Sequence, residues 1–240
     1  MTTADRLARA VREQLGLGRF LPLGGPRDGA WITERAVQRV LREAARDVPG
    51  VRLDGVRVAH ADPGRADEPA VPPPPSALPP GPLRVTAQCA ATAAEPLPAA
   101  AARLRAALAA AAAERLGLTV EEVDLRVTGL LEETGTEAAP PREAPGAPAA
   151  VPAEGDEGRA AAAAVAVAGV TRLTTALGRP VRLGEHPQAR EAALPPRHVR
   201  VELAVAADHR TVEVARRVRA AVSDALPDHP AVTVLVTAVD

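Results

Sequence analysis

Two stretches of the chain alternate apolar and polar side chains in the same way. Residues 83–91 place leucine, valine, alanine and cysteine at every second position, and residues 199–207 repeat that period with valine and leucine. This two-residue period predicts a half-buried β-strand in each stretch. An apolar stripe at helical spacing follows each strand, and a second alternating segment closes each copy at residues 123–130 and 232–239. The stripes consist of Ala101, Leu104, Leu108 and Ala111 in the first copy and of Val214, Val218 and Val222 in the second.

The elements before these strands are also repeated. A predicted helix ends at residues 48–51 (VPGV) in the first copy and at residues 167–170 (VAGV) in the second, and short strands follow each helix. In the first copy Thr33 is the expected N-cap of the helix, and Asp54 with Gly55 predicts a hairpin turn between two short strands. A strand–helix–strand crossover within one sheet makes the last two strands of each copy parallel.

These repeats predict an α+β fold of two similar two-layer units. Each unit consists of a helix, short strands, a strand, a helix and a strand, with both helices on one face of a small mixed sheet. The offset between matching blocks shrinks from 119 residues (48 to 167) to 109 residues (123 to 232). A tandem duplication with small loop deletions would produce this trend. A chance match between two segments rich in alanine, arginine and valine is the alternative.

Two segments interrupt this pattern. Residues 63–82 contain nine prolines in twenty positions, which predicts a stiff, extended loop. Residues 130–158 contain seven acidic residues and five prolines, a composition typical of a disordered linker between domains. The predicted division of the chain is an N-terminal helix (3–15) and loop within residues 1–31, the first copy at 32–131, the linker at 132–158 and the second copy at 159–240.

Charge and cysteine content exclude several classes of protein. The chain has 29 basic and 30 acidic residues and a net charge of −1, which argues against a nucleic-acid binder held by bulk charge. Cys89 is the single cysteine, so intramolecular disulfides and cysteine-based zinc sites are excluded. The longest uncharged apolar run, residues 160–170, has 11 residues, whereas a membrane span needs about 20. No secretory signal is evident at the start of the chain. We therefore expect a soluble cytoplasmic protein.

Residues that could carry chemistry do not form a recognisable site. Ser76 and Ser223 both lie outside the G-x-S-x-G pattern of serine hydrolases. The five histidines lack the spacing of metal ligands. Asp208 and His209 are typical of a turn before a helix, for which Thr211 is the expected N-cap. The sequence therefore predicts no catalytic, cofactor-binding or metal-binding residues and no enzyme activity.

Two features are candidates for an interaction surface. Arg210, Arg216, Arg217 and Arg219 concentrate positive charge on the last helix. The arginines favour contact with an acidic partner, an anionic lipid or RNA, and a solvated helix face is the alternative. Leu235 lies in the closing strand of the second copy, on the side that carries charged residues in the first copy. We expect this face to pack against the first copy or against another subunit, because burying a leucine is favourable.

Residues 32–58 and 83–131 resemble the alkaline shock protein family of Gram-positive and actinobacterial envelope stress response proteins. The resemblance is carried by the Ile-Thr start of the first helix, by its Val-Pro-Gly-Val end and by the closing strand VDLRVTGLL; the second copy matches more weakly. It implies a non-catalytic cytoplasmic scaffold or interaction protein that needs no cofactor. A small membrane-anchored protein would recruit it to the inner face of the membrane, and self-association is a further expectation. The alternative function is an RNA-binding α/β module, although the sequence lacks a GxxG loop and an aromatic pair on a strand.

Overall fold

The alternating segments form the central strands of two β-sheets in a computed structural model, which describes residues 16–132, 154–185 and 197–240. The fold is α+β, as predicted. The expected helix at 3–15 and most of the expected linker lie outside the described residues. In chain order the elements are β1 (Phe20–Pro22), β2 (Ala30–Thr33), α1 (Glu34–Arg46), β3 (Val51–His60), a 3-10 turn (Pro63–Arg65), β4 (Leu83–Thr92), α2 (Leu97–Ala110), a π-helical turn (Ala111–Leu116), β5 (Val120–Leu131), α3 (Gly155–Val165), β6 (Val170–Leu173), β7 (Val181–Glu185), β8 (Arg197–Val205), α4 (Thr211–Asp224) and β9 (Ala231–Val239).

The first sheet has the strand order β3-β4-β5 and carries α1 and α2 on one face. β3 runs antiparallel to β4, and β4 runs parallel to β5, so the predicted parallel crossover is confirmed. Val85, Ala87 and Cys89 of β4 are buried toward the helices, and the residues between them are partly or fully exposed. Burial raises the pKa of the Cys89 thiol. The predicted register of this strand is therefore confirmed.

The second sheet repeats this arrangement with two more strands at one edge. Its order is β1-β2-β9-β8-β6, and β7 also pairs with β8. β8 and β9 are parallel, as predicted, whereas β6 and β7 are antiparallel to β8. β6 pairs with residues 203–205 and β7 with residues 197–201, so these two strands lie end to end along β8. The two halves of β3 lie along β4 in the same way.

The predicted hairpin at Asp54 and Gly55 is wrong. Residues 51–60 form one continuous strand, and the pairing register shifts between Leu53 and Gly55. Asp54 is therefore an unpaired residue in a β-bulge, where its carboxylate accepts a hydrogen bond from Arg52 Nε at 2.9 Å. A continuous strand pairs with the whole of β4, whereas a hairpin would leave half of that edge without hydrogen bonds.

Residues 20–22 and 30–33 form strands where the sequence pattern predicts mainly a loop. β2 pairs in parallel with β9, and β1 pairs with β2. The N-terminal part of the chain therefore extends the second sheet, not the first. Leu21 and Ile32 are fully buried in this position. Strands of three and four residues are too short to show a clear two-residue period, which explains why the pattern missed them.

Of the two predicted N-caps, the structure confirms Thr33 but not Thr211. The Thr33 hydroxyl accepts a hydrogen bond from Ala36 N at 3.3 Å, so the predicted cap of α1 is confirmed. Thr211 is instead the first residue of α4, after Arg210 at the cap position. Its hydroxyl donates to the Arg115 carbonyl at 3.3 Å. The hydroxyl thus connects α4 to the π-helical turn of the first unit.

One continuous hydrophobic core extends through both units. It contains inward-facing residues of both central strands and the apolar stripes of the four helices. Three alanines of α3 are fully buried in it, which allows this helix to pack closely. Representative core residues are Val37, Leu41, Val85, Leu104, Ala160, Ala161, Ala164, Val201, Val218 and Val234.

A second apolar cluster lies on the opposite face of the second sheet. It consists of the buried residues Phe20, Trp31, Val71 and Leu235. Phe20 belongs to β1, Trp31 to β2 and Val71 to the proline-rich loop, whereas Leu235 belongs to β9. Leu235 is fully buried, so the outer face of the second sheet is covered by the chain's own N-terminal half.

Shortening Leu235 should therefore destabilise the whole chain. We expect Leu235→Ala to lower the free energy of unfolding by about 2–5 kcal/mol, because it leaves a cavity beneath Trp31. Val165→Ala is the control, since Val165 is 45% exposed and should change the free energy by less than about 0.5 kcal/mol. Urea denaturation measures both variants, and equal small effects would contradict a stabilising role for the cluster.

Candidate functional site

The arginines of α4 lie against the N-terminal part of the chain. The Arg216 guanidinium binds both carboxylate oxygens of Asp28, with Nε–Oδ1 and Nη2–Oδ2 distances of 2.8 and 3.0 Å. It also contacts Glu213 Oε1 at 2.8 Å. The hydrogen bonds from Arg216 hold the pKa of Asp28 below its usual value, although partial burial opposes them. The acidic partner of this arginine is therefore within the chain.

Two further arginines bind backbone carbonyls of the same half of the protein. Arg210 donates to the Ala113 carbonyl at 3.3 Å, and Arg219 donates to the Arg27 carbonyl. Arg217 differs, because its side chain donates to the Glu213 carbonyl within α4 itself. Three of the four arginines predicted as interaction residues thus connect α4 to the first half of the chain.

Close packing between the units requires a glycine beside α4. Gly117 has a φ of 84° and follows the π-helical turn. A Cβ atom at this position would lie 2.2 Å from Cγ1 of Val212, which is far inside van der Waals contact. Glycine is therefore required at this position, because it adopts a positive φ readily and has no Cβ atom to clash with α4.

The proline-rich loop covers the face that contains Leu235. Trp31 Nε1 donates to the Leu78 carbonyl at 3.1 Å, and Thr233 Oγ1 donates to the Pro72 carbonyl at 2.9 Å. The Leu78 amide in turn donates to the Phe20 carbonyl at 2.8 Å. Leu235 and the arginines lie on opposite faces of the second sheet, and both faces are covered by residues from the first half of the chain.

Glu202 is a buried acidic residue that the sequence pattern did not indicate as a candidate. It lies beside Leu235 in the sheet and is fully buried. Its carboxylate accepts a hydrogen bond from Leu177 N at 2.8 Å, and it lies 3.1 Å from Arg200 Nη2. Burial raises the pKa of Glu202 to about 6 despite these contacts. The available signal was an acidic residue directly before the apolar run of residues 203–207.

The outer face of the first sheet is open, in contrast to that of the second. We call this surface the open sheet face; it consists of the outward residues Arg52, Asp54, Arg57, Arg84, Thr86, Gln88, Glu122, Asp124, Arg126 and Thr128, most of which are exposed. Arg84 pairs with Glu122 and lies 3.5 Å from Asp124. At the end of β5, the exposed fractions of Val127 and Leu130 are 38% and 67%.

Within the described ranges, no group of three or more histidine, cysteine, aspartate or glutamate residues could hold a metal ion. Among the described residues, none of the helices combines the length and the hydropathy of a membrane-spanning segment.

Comparison with known proteins gives no family assignment. No protein-family model matches the sequence, and no curated protein matches it. Among solved structures, a doubly substituted MamM C-terminal domain has a TM-score of 0.27 at 18% identity, over 40% of this chain and 94% of that one. A cadmium form of the MamM C-terminal domain has a TM-score of 0.26 at 19% identity, over 39% and 93% of the two chains. Scores this low do not establish a shared fold.

Neutralising Asp28 should weaken the attachment of α4 to the N-terminal strands. We expect Asp28→Asn to lower the free energy of unfolding by about 1–2 kcal/mol at pH 7, since a charged hydrogen-bond pair is lost. Asp28 has a lowered pKa in the folded state, so its contribution is present above pH 4 and disappears as the pH falls further. Denaturation at pH 7 and pH 3 tests this. Asp67→Asn, on the exposed proline-rich loop, is the control, and an equal effect there would contradict the prediction.

Glu202 should affect the pH dependence of the free energy of unfolding in the opposite sense to Asp28. Its pKa rises from 4.5 to about 6 on folding, so the folded state holds this proton more tightly. The free energy of unfolding should therefore decrease by about 2 kcal/mol, through this group alone, as the pH rises from below 4.5 to above 6. Denaturation of the protein and of Glu202→Gln across this range should show the difference, and Glu122→Gln on the open sheet face is the control. Parallel profiles for the protein and Glu202→Gln would refute the assignment.

Proposed function

We propose that the chain is a non-catalytic scaffold or interaction protein of the kind that the alkaline shock proteins exemplify. It acts in the cytoplasm, and a small membrane-anchored protein recruits it to the inner face of the membrane. The proposal rests on the sequence resemblance of residues 32–58 and 83–131 together with the open sheet face, which is the surface available to a partner.

The open sheet face carries this proposal. Its three strands present a flat, polar surface, and no described element packs over it. The equivalent face of the second sheet is covered by the proline-rich loop, which binds Trp31 and Thr233. The difference suits a protein partner, because a non-obligate protein–protein interface is, taken as a whole, about as polar as the rest of a protein surface. Arg57 lies near the centre of β3 with an exposed side chain, where it can contact an acidic group of the partner.

Charge pairing disfavours the RNA-binding alternative. Arg210, Arg216 and Arg219 bind groups of the first half of the chain. On the open sheet face, Arg52 and Arg84 pair with carboxylates. Phosphate binding depends on unpaired positive charge and on the release of counterions, so these surfaces attract nucleic acid only weakly.

In-cell photo-crosslinking tests the proposed function. A photoreactive amino acid replaces Thr86, at the centre of the open sheet face, and a second variant carries it at Val165 on α3. We expect Thr86 to give one discrete adduct in the membrane fraction, identified by mass spectrometry as a small membrane-anchored protein. Arg57→Asp should reduce the yield of this adduct, because it reverses a charge on the same face.

The control position decides between the outcomes. Val165 is exposed but belongs to the second unit, so it should give no such adduct. Equal labelling from both positions, or no adduct from Thr86, would refute the proposal. A nuclease-sensitive adduct at Thr86 would instead establish the RNA-binding function.

A further inference from the structure

β5 is an edge strand of the first sheet. It has 12 residues, and within the described ranges it pairs with β4 alone. The exposed residues Val127 and Leu130 lie at its end. An edge strand of this length offers a row of backbone donors and acceptors with which a strand of another molecule can pair.

The hydrogen bonds of β5 identify the residues that face the free edge. The Val123 carbonyl accepts a hydrogen bond from Arg105 Nε of α2 at 3.1 Å, so it points away from β4. Successive residues of a strand point their backbone groups to alternate sides, and Leu125 and Val127 therefore also face the free edge. Register shifts on either side leave residues 122–127 as a regular strand segment.

The sequence of this segment is complementary to itself in the antiparallel direction. We propose that a second copy of the chain binds here through β5, in a two-fold arrangement centred on Leu125. Val123 then faces Val127 of the second copy, and Leu125 faces its own equivalent. On the outer face, Asp124 lies opposite Arg126 of the second copy, and symmetry provides this ion pair twice.

Charge selects this register over its neighbours. A two-fold axis at Asp124 would place two aspartates opposite each other, and one at Arg126 would place two arginines opposite each other; like charges directly opposite are destabilising. Within the described part of the chain, Arg126 has no ion-pair partner, so it is available to a second copy. Among the same described residues, the ion pairing of Asp124 is limited to a 3.5 Å contact with Arg84 Nε.

The proposed dimer would join two three-stranded sheets into one six-stranded sheet. Arg105 must release the Val123 carbonyl for this to happen, and its guanidinium therefore competes with the second copy. The dimer deepens the proposed function, since it would double the open sheet face available to a membrane-anchored protein. It does not depend on the identity of that protein.

Charge exchange in the full chain tests the dimer. Sedimentation equilibrium at low salt should show a monomer–dimer equilibrium for the unchanged protein. Asp124→Arg and Arg126→Asp should each weaken dimerisation by about tenfold, because each places like charges opposite each other twice. The double variant should restore the original affinity, since it exchanges the two charges. Arg105→Ala should strengthen dimerisation by removing the competing donor.

Arg57→Asp is the matched control, because it reverses a charge on the open sheet face away from β5. It should leave dimerisation unchanged while it lowers the yield of the crosslink from Thr86. A monomer at about 100 μM, which excludes affinities in the micromolar range, would overturn the inference. A double variant that fails to dimerise would also overturn it, provided that circular dichroism shows it folded. Neither result would affect a crosslink to a membrane-anchored protein, so failure of the two proposals can be distinguished.

Discussion

The parallel pairing of β2 with β9 is the constraint on which the rest of the structure depends. It places Trp31 beside Leu235 and brings the Thr33 hydroxyl to 3.0 Å from the Thr237 carbonyl, 204 residues along the chain. Because α1 begins directly after β2, this pairing also fixes the first helix of one unit against the sheet of the other. The two units consequently share one hydrophobic core.

The same pairing gives the two sheets different surfaces. The proline-rich loop packs over the outer face of the second sheet, where Val71 lies against Trp31 and Leu235. Glu202 is buried beside Leu235, where it accepts a hydrogen bond from Leu177 N. The proline residues suit this position, because a stiff loop loses little conformational entropy when it is ordered. No described element covers the outer face of the first sheet in this way, and its charged side chains, only some of which form ion pairs, are compatible with solvent. One face therefore has a structural role, whereas the outer face of the first sheet remains largely exposed.

The arginines of α4 illustrate how tertiary structure changes the meaning of a charged cluster. In the sequence they form a positive helix face without an obvious partner. In the fold, Arg216 binds Asp28, which is 188 residues away along the chain, and Arg210 and Arg219 bind carbonyls that helix and loop geometry leave open. Hydrogen bonds from a charged donor are stronger than those between neutral groups, and these arginines form them across the contact between the two halves of the chain. The cluster therefore stabilises the contact between units.

The amino-acid sequence by itself determined the features that depend on local periodicity. The half-buried strand β4, the burial of Cys89, the cap at Thr33 and the parallel crossovers all follow from residues close together in the chain, whose pattern is visible in the sequence. The prediction of a half-buried strand at residues 199–207 is wrong, because Glu202 and Ala204 of β8 are fully buried on the face opposite to that of Val201 and Leu203. Only the tertiary structure decided that Asp54 forms a bulge, that residues 20–22 and 30–33 are strands and that Leu235 is covered by Trp31. Each of these depends on a partner strand distant in sequence, because a short segment is stabilised by the backbone and apolar groups it meets and not by its own pattern.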